Sequence, residues 1–157
     1  MKKILIATAV SSLFMAGAAQ AGTATATMGV SATVNGTCKI TTAPTPMAFG
    51  IIDPSTVAAN VTASSSFLYK CTTGLTPLSL ADDGGLNKVG VQSNLASGAL
   101  RLKYGYTYPA TPLAAGTGFG SGSTATTVAV AGTILMSDAQ NAAAGVYADT
   151  VTFTLTF

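Results

Sequence analysis

Apolar and polar residues alternate with period two along most of this chain. At residues 23–34, Ala24, Ala26, Met28, Val30, Ala32 and Val34 share one face, with Thr23, Thr25, Thr27, Gly29, Ser31 and Thr33 on the other. Residues 100–106 place Leu100, Leu102, Tyr104 and Tyr106 together and Arg101 and Lys103 opposite. Val128, Val130, Ile134 and Met136 form a further inward set. The clearest run is 147–157, where Tyr147, Val151, Phe153, Leu155 and Phe157 oppose Ala148, Thr150, Thr152, Thr154 and Thr156. Successive side chains of a strand point to opposite faces, so each run predicts a strand with one buried and one solvated face. Two more strands are expected at 62–72 and 76–81. Residues 138–145 read as one helical turn or a plain loop.

Turn chemistry separates these runs: Pro44-Thr45-Pro46, Asp53-Pro54, Asp82-Asp83-Gly84-Gly85, and the glycine-rich stretch 116–122, which reads as a flexible loop. No stretch carries apolar residues at helical spacing, and Glu is absent after the first residues as before them. Short one-faced strands at this spacing predict an all-β antiparallel sandwich with immunoglobulin-like topology. There is no internal repeat and no second domain.

The first residues obey other rules. Met1-Lys2-Lys3 is a basic start, 4–16 an apolar run, and Ala19-Gln20-Ala21 a small-x-small site. This is the pattern of a secretory signal peptide, 1–21, cleaved before Gly22. The apolar run is shorter than the roughly 20 residues that span a bilayer. The formal charge of +2 includes Lys2 and Lys3, so the remainder balances five basic groups against five aspartates. Nothing in that balance attracts nucleic acid, which needs clustered Lys and Arg. So sparsely charged a surface is poorly defended against self-association. The two cysteines, Cys38 and Cys71, predict one disulfide formed in an oxidising compartment.

Enzyme chemistry finds little to work with. The chain has no His, so no Ser–His or Cys–His nucleophile pair can be built, and no metal site or cofactor is expected. Asp82 and Asp83 beside Gly84-Gly85 read as a turn, and with Asn87 they match no calcium loop. Glycines 116–122 lack the helix that a phosphate loop needs. Tyr104, Tyr106 and Tyr108 suggest an aromatic binding strip, but the first two share the face of Leu100 and Leu102, which favours core packing. The sequons at Asn35 and Asn60 receive no role.

Several motifs occur in an order that resembles the spore coat protein U domain family, which includes small major pilins of archaic chaperone–usher pili. They are Ala48-Phe49-Gly50 with Asp53-Pro54, Cys71-Thr72-Thr73-Gly74, Leu102-Lys103-Tyr104-Gly105, and the run from Ala144 through Tyr147 and Asp149 to Val151. The last is the most specific. Phe119-Gly120 stands where Trp-Gly is usual, and Leu135-Met136 where Pro is common. The resemblance implies an incomplete immunoglobulin-like sandwich whose groove is filled by a donor strand from a neighbouring subunit. The donor would be the extension 22–30, with Ala24, Ala26, Met28 and Val30 facing inward. Ser31 to Val34 would open the first strand of a pilin domain, 31–157. The strand carrying Tyr147, Val151, Phe153, Leu155 and Phe157 would border the groove and pair with a periplasmic chaperone. The implied partners are that chaperone, an outer-membrane usher and identical or related pilin subunits in a head-to-tail homopolymer. The implied destination is a surface pilus serving attachment and biofilm formation. The alternative from another class is a monomeric secreted binding module, for carbohydrate for example, whose N-terminal strand pairs within its own sheet.

Overall fold

The computed structural model describes residues 21–110 and 113–157. The signal peptide expected at 1–21 thus lies almost wholly outside the described residues. The chain divides into two units, Met1–Thr33 and Val34–Phe157. In the first, residues 21–33 carry no helix or strand and are exposed, Met28 by 84% and Val30 by 83%. The first strand begins at Cys38, so Ser31 to Val34 do not open it, contrary to expectation. Alternation alone does not make a strand: without a neighbour the backbone has no ladder to join.

The second unit is a two-layered β structure. One layer is an antiparallel sheet in the order β1-β2-β7-β6, built from Cys38–Thr42, Val61–Cys71, Thr126–Ile134 and Gly105–Thr107. The other contains two pairs. Ser79–Asp82 (β3) pairs with Phe153–Thr156 (β8), and Asn94–Ser97 (β4) with Leu100–Lys103 (β5). Reciprocal backbone bonds between Ala96 and Ala148 tie β4 to the segment leading into β8.

The inward residues of β2 and β7 interlock by register: Phe67 stands opposite Val128 and Ser65 opposite Val130. Phe67, Tyr69, Cys71, Leu80, Leu113, Val128 and Val130 form one buried cluster. Leu102, Tyr104, Ile134 and Ala139 form a second. Cys38 and Cys71 are cross-strand partners in β1 and β2, joined by a disulfide with S–S 1.99 Å.

Some expectations change. The run 100–106 breaks at Tyr104, since β5 pairs with β4 and β6 with β7. Leu100 is exposed because it ends the β4–β5 hairpin, and Met136 because β7 has given way to the helix α1, Met136–Gln140. That helix is the single turn allowed for 138–145, begun two residues earlier; the Met136 amide donates to Asn60 Oδ1 at 2.9 Å. Phe157 lies beyond β8 and is half exposed. The glycine-rich stretch is pinned rather than free. The Gly116 amide donates to the Leu75 carbonyl at 2.8 Å, and a Cβ at Gly116 would overlap the Cys71 backbone.

Candidate functional site

An apolar groove of about 170 Å³ lies between the layers. One rim carries Pro44, Thr45, Met47 and Phe49; the other carries Asp149, Val151 and Phe153. Ser65, Val130, Leu95, Tyr104 and Tyr106 also line it. The first rim is a strandless segment drawn down onto β2 and β7. The Thr45 amide donates to the Ser66 carbonyl at 3.1 Å. A Cβ at Gly132 would overlap the Met47 thioether and come within 3.0 Å of the Phe49 ring. Glycine in β7 therefore lets this rim approach the sheet.

The second rim is an open strand edge. Residues 79, 81 and 83 bond the partners 156, 154 and 152, as the Asp83 amide on the Thr152 carbonyl (3.2 Å) and the β3–β8 register indicate. Antiparallel ladders alternate, so the N–H and C=O groups of Val151, Phe153 and Leu155 fall on the opposite edge. Among the described residues β8 has no second partner strand. Val151, Phe153 and Leu155 are only half buried, although their side chains face the core. An unpaired edge beside half-covered apolar side chains is the arrangement that accepts an added strand.

Rings and carboxylates stiffen this region. Tyr104, Tyr106 and Tyr108 stack in sequence, with centroids 5.8 and 6.3 Å apart. Phe153 meets Phe67 and Tyr108 at 5.2 Å each. The Tyr104 hydroxyl donates to Asp149 Oδ2 at 2.8 Å, and those of Tyr106 and Tyr108 donate to the two oxygens of Asp82. Burial alone would raise the Asp82 pKa, but the two tyrosines and the Gly84 amide together hold it below the ordinary carboxylate value. Amide donors from Thr152 and Gly85 lower Asp83 likewise. Burial and then the acceptor carboxylates raise all three tyrosines, Tyr108 to about 12.

Asp149 also accepts from the Asn87 amide at 3.0 Å, and Gly85 at φ 93° leaves room for its carboxylate. Of the three residues weighed together as calcium ligands, Asp82 and Asp83 accept from donors of the protein, and the Asn87 side-chain amide donates to Asp149 and the Ala148 carbonyl. No group of metal-ligating side chains occurs among the described residues.

Of the residues named from sequence, Val151 and Phe153 line the groove, and Leu155 continues the same strand edge. Tyr147 packs with Leu102 and Ile134 and lies outside the groove, as does Phe157. The four candidate donors Ala24, Ala26, Met28 and Val30 sit in the other unit. Sequence reasoning did not find the rim of Pro44, Thr45 and Met47, which follows no period, nor Leu95. Phe49 was noticed only as part of a motif. The tyrosine–aspartate pairing left a trace, three tyrosines at period two, but nothing in one dimension shows which aspartates meet them.

The fold and groove define an immunoglobulin-like β-sandwich with one open strand position. A model of the Spore Coat Protein U domain matches residues 24–154, and the chain belongs to that family. No curated protein matches it. Among solved structures it is similar to a chain in the CsuC–CsuE chaperone–tip adhesion subunit pre-assembly complex from the archaic chaperone–usher Csu pili of Acinetobacter baumannii. The TM-score is 0.50 at 20% identity, over 80% of this chain and 40% of that one. This chain thus spans well under half of that neighbour's length.

Proposed function

We propose that this protein is a structural subunit of a chaperone–usher pilus, and that it polymerises by donor-strand exchange. The observation that carries the reading is the groove bordered by the unpaired edge of β8. Residues 22–37 supply a complementary strand without a charged residue, and alternation puts Ala24, Ala26, Met28 and Val30 on its apolar side. Each copy then carries an insert and an acceptor, so contacts run head to tail and build a filament. Before assembly the same β8 edge would be covered by a periplasmic chaperone and handed over at an outer-membrane usher. Family membership and the pilus-subunit neighbour support that order. Attachment and biofilm formation would be properties of the fibre, and catalysis has no part in this reading.

The test is a gel of the purified surface fraction, unheated beside boiled, for wild type and a chain lacking residues 23–30. A heat-sensitive ladder that disappears with the deletion is expected. Met28→Asp should also abolish it while chaperone binding persists, because an unpaired charge costs several kcal/mol to bury. A single folded monomer for both chains would reject polymerisation and favour a monomeric binding module.

A further inference from the structure

The groove is not uniform in the side chains it can accept. Its cavity of about 170 Å³ is lined by Phe49, Tyr104, Tyr106 and Phe153. A dry apolar cavity of ~150 Å³ is large enough for benzene, so this one takes a single large side chain and a methyl leaves most of it empty. The hydroxyls of Tyr104 and Tyr106 already donate to Asp149 and Asp82, so they bring no unmet donor to an occupant. No buried side-chain polar atom among the described residues lacks a partner. The site therefore selects an apolar group, and its aromatic walls favour a thioether, which makes favourable contacts with rings and adapts to irregular space.

Within 22–37, only Met28 meets that description. Ala24, Ala26 and Ala32 are too small, and Val30 and Val34 are short and branched. We propose that Met28 of a second copy of this chain seats in the cavity between Met47 and Phe49 on one rim and Val151 and Phe153 on the other. Met28 then sets the register of the whole inserted strand; the assignment rests on the donor-strand reading. The alternation puts Ala26 and Val30 about 7 Å to either side. A slip of two residues would put Ala26 or Val30 in the cavity, and a slip of one would turn every apolar side chain outward.

Cysteine pairs test this directly, since side chains opposite one another on neighbouring strands lie within ~5.5 Å at Cβ. Val151→Cys is combined in turn with Ala26→Cys, Met28→Cys and Val30→Cys, and the assembled fibres are oxidised and boiled without reductant. The expected result is a covalent ladder from the Met28→Cys pair, well above the other two. A ladder mainly through Ala26→Cys or Val30→Cys would overturn the register while leaving donor-strand exchange intact. An internally bonded monomer would put the segment in its own groove and overturn the second-copy assignment. If wild type forms no heat-sensitive ladder and no pair links, the register falls together with the donor-strand reading.

A truncation series supplies an independent measure. Met28→Ala should speed dissociation of heated fibres at least about tenfold, by analogy with cavity-forming substitutions. Met28→Leu should stay near wild type, and Val30→Ala should fall between them. Val30→Ala outpacing Met28→Ala would reject the assignment.

Discussion

Two halves of a single strand behave differently. β2 turns Phe67, Tyr69 and Cys71 inward at its C-terminal end, and all three are fully buried. At its N-terminal end the same face presents Val61, Ala63 and Ser65, which stay half exposed. Both halves pair with the same neighbour, β7, in unbroken register. β1 flanks only the first half, at residues 68–71, and the opposite layer makes the rest of the difference. Leu80, Leu113 and Phe153 cover the first half, reinforced by the Cys38–Cys71 disulfide and the docked glycine segment. Over the second half the layers part into the groove. The uncovered width is bounded by one strand edge, which is why a single added strand is the natural complement.

The comparison breaks most visibly at the closed end. Phe67→Ala should cost ~3–5 kcal/mol, the range for deleting a buried aromatic side chain, measured by urea unfolding of the secreted chain. A loss below about 1 kcal/mol would mean that the two halves are equally loose. Removing the disulfide through Cys38→Ser with Cys71→Ser should cost ~3–4 kcal/mol by the loop-closure model for a separation of 33 residues. The same unfolding curves, oxidised against reduced, check it.

At the open end Val151→Ala should cost the isolated chain only about 1 kcal/mol, because Val151 is already half exposed. The loss should grow once a peptide of residues 22–34 is added, since a bound strand stabilises only the folded state. Equal losses with and without the peptide would remove Val151 from the acceptor groove.

Acid and alkali probe the carboxylate–tyrosine network between the halves. Asp82 and Asp83 are depressed in the folded state, so their contribution is present above the ordinary carboxylate value of about 4 and is lost as pH falls below it. The tyrosines are raised, so theirs is present below about pH 10 and is lost as pH climbs, for Tyr108 through about 12. Circular dichroism melts should show a plateau between these limits. Asp82→Asn should flatten the acid limb, and an unchanged limb would remove Asp82 from the account. The smallest effect is expected at Val91, 98% exposed at a hairpin turn, where Val91→Thr should stay within about 0.5 kcal/mol.

Alternation of side chains was enough to find β7 and the strand containing β8, because a one-faced strand writes its burial at period two, while β2 and β3 were expected as runs between turn signals. The disulfide was readable too, since two cysteines in a chain expected to be exported have one pairing. Breaks were harder. Residues 100–106 keep their alternation across Tyr104 while the backbone changes partner from β4 to β7, and period two carries no record of which strand lies beside it. The segment 23–34 shows the same limit from the other side, with the pattern of a strand and no strand formed.

The sequence by itself determined that the chain is all-β, net neutral and sparsely charged beyond its first residues, cross-linked once, and without the histidine that nucleophile pairs use. Those are properties of residue type and spacing. Only the tertiary structure decided where the sandwich stays open. That depends on long-range pairing: Met47 and Phe49 brought over Gly132, and β8 bonded to β3 along one edge and to nothing described along the other. Which edge is left without a neighbour belongs to the assembled sheet, because backbone hydrogen bonds are alike at every residue and only their arrangement in space leaves a row unmet.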